Sequence, residues 1–351
     1  MTASGTVPTN LFLACTPLQI LNATEARDRF HAGENNYLMM FHSPRAASAR
    51  LAHLHRLADA TMDAGWTRTW NLRLTRISQL VFPFLAARLR RTIGPCQTLY
   101  TGGFQTQQRH MIHVVPHQHL VVVDGGAGVL QSAINTWREQ GSRGRGFRQL
   151  IPGLKTSLPN LDKASFFSSY RLDIDPSRVL VNDYRSLRRS VTGNLPIRDE
   201  IVFLSQPLER DLGVNVDAEA ALRMAMEFHG VSRYRWILHP RETSGPAGAE
   251  KLPYLAEFFG LQEGYLPRAF VTWMSSAART LPLIYGRPVT CIDMQPGLPA
   301  STSAATREEL ALTYADFAAS GAVILPLPGM SCEPATPAVA AAQATGCSRA
   351  A

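Results

Sequence analysis

The sequence has few cysteines, almost no lysine and no long apolar run, and each shortage argues against a class of protein. Its five cysteines stand singly, without a Cys-x-x-Cys pair or a histidine at metal-ligand spacing, which indicates neither a disulfide scaffold nor a zinc site. No apolar stretch approaches the roughly 18 to 20 residues of a membrane span. Residues 1–10 lack the basic and apolar regions of a secretory signal. We therefore expect a cytoplasmic protein.

The positive charge comes almost wholly from arginine. The chain has 35 Lys and Arg residues against 27 Asp and Glu, a net charge of +8, and its only lysines are Lys155, Lys163 and Lys251. A pI near 9.5 favours anionic partners such as nucleotides, acidic glycans, a membrane surface or nucleic acid. No recognisable nucleic-acid module appears and the arginines are spread over both halves, so we expect no nucleic-acid partner.

The 351 residues would fit two α/β domains of ordinary size. Apolar runs alternate with segments of helical periodicity, a pattern typical of parallel βα units. In the first half, Thr16-Pro17 gives a turn and N-cap signal between a strand and a helix. The pattern there predicts strands over 11–15, 37–41, 98–100 and 120–123, and helices over 18–30 and 46–64.

The pattern loosens between residues 142 and 194 into Gly, Pro, Ser and Arg, which indicates a linker or hinge. A second βα series follows, with strands over 200–204, 235–238, 270–273, 289–292 and 322–325, and helices over 217–229, 275–281 and 307–320. We therefore predict an α/β protein in which two Rossmann-like domains, 1–194 and 195–325, face each other across a cleft. The Pro/Ala/Ser-rich stretch 326–351 has no composition for a core, and we expect a disordered tail.

Ligands of open α/β sheets bind at the carboxyl ends of strands, and the most informative strand end here delivers His239, Pro240 and Arg241. Histidine beside arginine suits a phosphorylated leaving group. Several strand-end residues are also compatible with a purely structural role. Thr16 and the pair Ser275-Ser276 can cap helices, and Asp124 can be a turn residue. The strand ends nominate Thr16, Gln19, Gly102, Gly103, Asp124, Gln206, Glu209, His239, Arg241, Ser275 and Ser276 as cleft residues.

Five segments, in order, resemble the bacterial sialyltransferases, and more narrowly the lipooligosaccharide sialyltransferase and capsular polysialyltransferase families. No single segment is specific, but the resemblance extends over roughly residues 11 to 325. The segments are 11–23, Asp124-Gly125-Gly126, 203–208, His239-Pro240-Arg241-Glu242 and Ser275-Ser276-Ala277.

This resemblance implies a two-domain GT-B fold and an inverting glycosyltransferase that needs no metal and no other cofactor. It implies CMP-activated sialic acid, or a related nonulosonic acid, as the donor, and a cell-surface glycan or glycolipid such as lipooligosaccharide or capsule as the acceptor. The family's acidic motif has two carboxylates before a glycine. Here Asp124 keeps the first place and Gly125 takes the second.

The chemistry of the transfer assigns roles to these residues. A base must take the proton of the acceptor hydroxyl, and Asp124 is the first choice, with Glu209 or Asp211 as alternatives. The departing phosphate develops negative charge that His239, Ser275, Ser276 and Arg241 could stabilise, and His239 could also protonate it. Two further residues are nominated on the donor side: Glu263 for the ribose hydroxyls and Gln206 at the cleft.

Residues 66–93 interleave aromatic and aliphatic side chains with arginines. We expect an amphipathic core helix broken at Pro83. A peripheral contact with the inner face of the cytoplasmic membrane, close to a lipid-linked acceptor, and a polyanionic glycan lying on the arginines are the alternatives.

Two functional alternatives also stay open. One is a GT-B transferase that uses CMP-Kdo or another nucleotide sugar, and the other is a catalytically impaired homologue that binds nucleotides or glycans. The sequence is compatible with a homodimer.

Overall fold

The computed structural model describes residues 7–42, 56, 65–73, 76–126, 129–140, 153–191 and 193–328. The helix predicted over 46–64, apart from residue 56, and nearly all of the predicted tail over 326–351 lie outside the described residues. In the part of the chain that is described, strands alternate with helices, as expected for βα units. No helix of that part is long and apolar enough to cross a membrane.

The first sheet contains β1 (Thr9–Ala14), β2 (Asn35–His42), β3 (Arg68–Arg73), β4 (Cys96–Thr101), β5 (His117–Val123), β6 (Ser165–Ser168) and β7 (Val179–Val181). Among the described residues these strands are all parallel, in the order β3-β2-β1-β4-β5-β6-β7. The central strand β1 is almost completely buried, as its apolar sequence predicts. Because the strands are parallel, their carboxyl ends meet at one edge of the sheet.

The first helix shows how the local sequence positions this edge. Thr16 caps it by accepting a hydrogen bond from the Gln19 N–H at 3.3 Å, and Pro17 occupies the first turn, where its missing N–H costs nothing. The helix predicted over 18–30 is thereby confirmed. The helices of this half are α1 (Pro17–Phe30), α2 (Arg76–Ile93), α3 (Thr106–Val114), α4 (Val129–Gln140) and α5 (Arg185–Ser190).

The second sheet contains β8 (Ile197–Leu204), β9 (Tyr234–Ile237), β10 (Leu266–Thr272), β11 (Val289–Ile292) and β12 (Val323–Leu325). Within the described residues its order is β12-β11-β10-β8-β9, and all pairs are parallel. All five strands overlap the predicted ones. The helices of this half are α6 (Leu208–Leu212), α7 (Ala218–His229), α8 (Phe259–Glu263), α9 (Ala277–Tyr285) and α10 (Ala304–Ala319).

Apolar packing joins the two halves. Leu18 and Leu21 of α1, together with Tyr184 and Leu187, belong to the same buried cluster as the core of the second sheet. Arg279 of α9 also donates a hydrogen bond from Nε to the carbonyl of Ser169 at 2.7 Å. The edge of the first sheet is therefore held against the second domain.

Two predictions from the sequence were wrong. The stretch 142–194, expected to be a linker or hinge, contains β6, β7 and α5 in its described part, and the two strands extend the first sheet. These strands have only four and three residues, too few for a visible alternation of polar and apolar side chains. The stretch 66–93 is a strand followed by a helix, and α2 continues through Pro83 because buried neighbours such as Phe82 and Ala86 hold it against the core.

Candidate active site

A cavity of about 760 Å³ lies between the carboxyl ends of the two sheets. The first domain lines it from the ends of β1, β2 and β5, and the second domain lines it from the ends of β8, β9 and β10 and from the segment before α8. This is the place where open α/β folds bind ligands. The polar and ionisable lining residues are Cys15, Thr16, His42, Ser205, His239, Arg241, Tyr254, Glu257, Ser275 and Ser276.

The predicted His239 lies in this cavity just after β9, and hydrogen bonds fix its ring and backbone. Its Nδ1 accepts a hydrogen bond from the Arg241 N–H at 3.1 Å, so a neutral ring carries its proton on Nε2. The Glu242 carboxylate accepts hydrogen bonds from the His239 N–H at 2.6 Å and from the Ser205 hydroxyl. The turn thus presents His239 with Nε2–H as the donor of its ring.

Arg241 also lines the cavity, but its guanidinium is paired. Its Nη2 and Nη1 contact the two carboxylate oxygens of Asp211 at 2.5 and 3.2 Å, a bidentate pair that stays partly exposed. A phosphate could bind Arg241 only by sharing it with Asp211 or displacing it. Asp211 does not line the cavity, and neither does the exposed Glu209. The structure therefore places both alternative bases outside the cavity wall.

Two helix N-termini open onto the cavity. Ser275 and Ser276 immediately precede α9, and the Ser275 hydroxyl accepts a hydrogen bond from the Ala277 N–H at 3.2 Å. Thr16 precedes α1 on the opposite wall. The partial positive charge at both helix starts favours an anionic ligand between them.

Gln19 and Gly102 support the strand ends next to the site but do not line the cavity. The Gln19 side chain accepts a hydrogen bond from the Cys15 N–H at 2.7 Å and donates one to the Gly102 carbonyl at 2.5 Å. A Cβ on Gly102 would lie 2.3 Å from the Gln19 Cδ, so glycine is required there by close packing. Gly103 has no such contact within 3.4 Å, and none of the three residues lines the cavity.

Two donor-side residues nominated by the sequence also have structural partners. The Gln206 amide accepts a hydrogen bond from the Met274 N–H at 2.7 Å and donates one to the Met274 carbonyl at 3.1 Å, which ties the end of β8 to the end of β10. Glu263 lies 2.8 Å from Arg235 Nη1 and accepts a hydrogen bond from the Tyr254 hydroxyl. The structure brings neither residue into the cavity wall.

Asp124 lies at the end of β5 with its carboxylate turned towards β6. The Ser168 hydroxyl and the Ser169 N–H each donate to it at 2.8 Å, and the Ser169 hydroxyl lies at 3.3 Å. The side chain is 1% exposed, and burial raises its pKa to about 7 despite these hydrogen bonds. The cavity wall at this strand end is formed by Gly125 and Gly126.

The sequence did not nominate His42, Glu242 or Glu257, and all three belong to the site. His42 directly follows an apolar run, and the strand-end argument that selected His239 applies equally to it. Glu257 is 3% exposed, accepts a hydrogen bond from the Thr280 hydroxyl at 2.8 Å, and has a raised pKa because it is buried. No sequence periodicity marks it. Within the described ranges, no group of three His, Cys, Asp or Glu side chains is placed to hold a metal ion.

Two parallel α/β sheets that face each other across a cavity at their carboxyl ends form the GT-B architecture, which confirms the predicted fold class. No protein-family model matches the chain. No curated protein matches it.

Several solved structures are similar to the chain at low sequence identity. A UDP-GlcNAc 2-epimerase from Neisseria meningitidis, bound to UDP-GlcNAc, is 10% identical with a TM-score of 0.47, over 90% of this chain and 94% of that one. MurG from Acinetobacter baumannii is 11% identical with a TM-score of 0.43, over 92% and 87% of the two chains. The spinosyn rhamnosyltransferase SpnG is 12% identical with a TM-score of 0.41, over 90% and 86%.

Proposed function

We propose that the chain is an inverting glycosyltransferase that moves sialic acid, or a related nonulosonic acid, from its CMP-activated form to a cell-surface glycan. The observation that carries this proposal is the shared cavity of His239 and the Ser275-Ser276 helix start. An oriented imidazole N–H beside a helix N-terminus is suited to a leaving phosphate. The five sequence segments that resemble sialyltransferases supply the identity of the donor.

The reaction can be written with these groups. An acceptor hydroxyl oxygen forms a bond to the anomeric carbon while the bond from that carbon to the phosphate oxygen of CMP breaks. The electron pair leaves with CMP, His239 donates a hydrogen bond from Nε2 to the phosphate, and the proton of the acceptor hydroxyl passes to a base. The hydroxyls of Ser275 and Ser276 contact the same phosphate in this proposal.

Glu257 supports an anionic donor. A charged carboxylate inside the cavity would repel both the phosphate and the carboxylate of a CMP-linked nonulosonic acid. Burial raises the pKa of Glu257, which reduces this repulsion, and in its neutral form the acid can donate a hydrogen bond to an anion.

Asp124 has a positioning role in this proposal. Its carboxylate binds Ser168 and Ser169, so it holds the Gly125-Gly126 turn that lines the cavity against the end of β6. The sequence-based prediction that it acts as the base stays a prediction, tested below by two substitutions.

The test is release of CMP from CMP-Neu5Ac, CMP-legionaminic acid and CMP-Kdo by the purified chain, with a chelator present and glycan acceptors supplied. Turnover with the first or second donor is the expected result, and turnover with CMP-Kdo alone would select the alternative donor. His239→Ala should lower kcat by roughly two to three orders of magnitude. The matched control is His229→Ala, since His229 bonds Thr290 at 2.8 Å and does not line the cavity. Absence of CMP release from every donor would contradict the proposal.

We also propose that α2 lies on an anionic membrane near a lipid-linked acceptor. One face of this helix packs in the core through Phe82 and Leu89, while Leu80, Val81 and Phe84 are 58%, 48% and 79% exposed. The exposed arginines near its end are Arg88, Arg90 and Arg91. An apolar strip beside basic side chains suits the interface of anionic lipids.

This contact is tested by cosedimentation with phosphatidylglycerol vesicles, with phosphatidylcholine vesicles as the comparison. Phe84→Ser should reduce binding to the anionic vesicles severalfold. Leu312→Ser is the control, because Leu312 is 63% exposed on α10 of the other domain. Equal binding of the two variants would contradict the proposed surface.

A further inference from the structure

His42 is the last residue of β2 and lies in the wall of the cavity that holds His239. It belongs to the first domain, together with Thr16 and the Gly125-Gly126 turn, whereas the proposed phosphate contacts belong to the second. Only 5% of its surface is exposed to solvent. The two histidines therefore enter the same cavity from different domains.

The Nδ1 atom of His42 is buried and has no hydrogen-bond partner among the described residues. Leaving such a polar atom unpaired costs about 1 to 3 kcal/mol, and buried polar groups are paired in the great majority of cases. The other buried histidines among the described residues of this domain have partners. Both ring nitrogens of His31 are bonded, to Glu34 and to Tyr100, each at 2.8 Å, and Nδ1 of His110 accepts a hydrogen bond from the Lys155 N–H at 3.0 Å. The unpaired nitrogen belongs to a residue of the cavity wall, so a ligand in the cavity could supply its missing partner.

The carboxylates nominated by the sequence for proton transfer are either bonded to other protein groups or lie outside the cavity. Asp124 accepts hydrogen bonds from Ser168 and Ser169 and does not line the cavity. Asp211 is paired with Arg241, and Glu209 is exposed outside the cavity. Glu257 does line it, but it is 3% exposed and its Oε1 accepts a hydrogen bond from the Thr280 hydroxyl at 2.8 Å.

We propose that His42 is the general base of the transfer, a role that rests on the proposed function. The acceptor hydroxyl donates its hydrogen bond to Nδ1 of a ring that carries its own proton on Nε2. As the acceptor oxygen bonds to the anomeric carbon and the bond to CMP breaks, the hydroxyl proton passes to Nδ1. The imidazolium then returns the proton to water after the products leave.

The ionisable groups around His42 come from both domains. Cys15 lines the same wall at the end of β1. Tyr254, Glu257, His239 and Arg241 line the cavity from the second domain. The pH profile of the wild type therefore contains more than one titration, and the informative quantity is its difference from the profile of a variant.

The test compares His42→Gln and His42→Ala with His31→Gln, which removes a buried histidine of the same domain that does not line the cavity. Both His42 variants should lose roughly two to four orders of magnitude in kcat. Their affinity for CMP, measured by calorimetry, should stay within about threefold of wild type. The acidic limb of their kcat/KM profile should disappear, and added imidazole should partly rescue the activity of His42→Ala. A kcat for His42→Gln within about threefold of wild type, or an unchanged acidic limb, overturns the proposal.

Two results separate this proposal from its alternatives. A wild type without turnover on any CMP-sugar overturns both the proposed function and this role, whereas an active wild type with unaffected His42 variants overturns the role alone. If neither variant folds, the wild type alone still tests the base, because a kcat/KM that does not fall at acid pH overturns it.

Discussion

The carboxylate of Glu242 holds the backbone of His239 in place, because its Oε2 accepts the His239 N–H at 2.6 Å. The same oxygen accepts the hydroxyl of Ser205 at the end of β8. One side chain thus joins two neighbouring strand ends and sets the position from which the imidazole enters the cavity.

Glu242→Ala should therefore lower kcat by roughly 100-fold, the scale expected when a reacting group is misplaced by about 1 Å. Ser205→Ala removes one of the two donors to Glu242 and leaves the bond to His239, so its effect should be much smaller. Steady-state kinetics on the best donor compares the two variants. A Glu242→Ala enzyme with wild-type kcat would show that the imidazole keeps its place without this carboxylate.

Gly102→Ala should destabilise the first domain by about 1 to 3 kcal/mol, the usual cost of overpacking. The new Cβ would lie 2.3 Å from the Gln19 Cδ, and Gln19 could move only by breaking its bonds to Cys15 and Gly102. Gly103→Ala is the matched control, since its Cβ would meet the first neighbour at 3.5 Å. Urea unfolding measures both, and equal midpoints would contradict the close packing.

Asp124→Ala should lower the free energy of unfolding, because it leaves the buried N–H of Ser169 unpaired, at about 1 to 3 kcal/mol, and leaves the Ser168 hydroxyl with only the Tyr170 carbonyl at 3.4 Å. Asp124→Asn keeps one acceptor oxygen and should cost less. If Asp124 only positions the glycine turn, losses of activity should follow losses of stability. A stable Asp124→Asn variant that is inactive would restore the carboxylate as the base.

Glu25 makes stability depend on pH. It is 1% exposed on α1 and accepts the N–H groups of Ser186 and Leu187 at 3.0 and 2.7 Å, yet burial raises its pKa from 4.5 to about 7. The folded state therefore binds the proton more tightly than the unfolded state. The stability that this proton contributes is complete below pH 4.5 and is lost as the pH rises through about 7.

Melting temperatures of the wild type should accordingly fall between pH 5 and pH 8 by more than those of Glu25→Gln, which cannot ionise there. The difference between the two curves isolates this carboxyl from the other titrating groups. Parallel curves would show that Glu25 has an ordinary pKa in the folded chain.

The fold was largely predictable because its strongest signals are local. The apolar stretch Leu11–Ala14 reads as a buried strand, and Thr16-Pro17 marks the start of a helix without any tertiary information. The strands β6 and β7 could not be seen, since a three- or four-residue strand is defined by its neighbours in the sheet.

The sequence predicted only part of the site, because the position of a residue along the chain is a local signal and the direction of its side chain is not. A strand-end position nominates His239 or Ser275, but it does not say which way a side chain turns. Asp124 and Gln206 occupy strand ends as expected, and each bonds a neighbouring chain segment that lies far away in sequence. Glu257 reaches the cavity from a short turn with no repeating pattern, so only the three-dimensional structure reveals it.

The amides of Gln19 and Gln206 perform a similar task in the two domains. Gln19 joins the backbone after β1 to the backbone after β4, and Gln206, which follows β8, bonds both backbone groups of Met274 after β10. Both rims of the cavity are thereby braced before any ligand arrives. A ligand would gain its contacts without first having to order the strand ends, so little conformational entropy would be lost there on association. The cavity would then select ligands by shape through a rim that is already ordered. Any movement on binding would occur at the contact between the two domains.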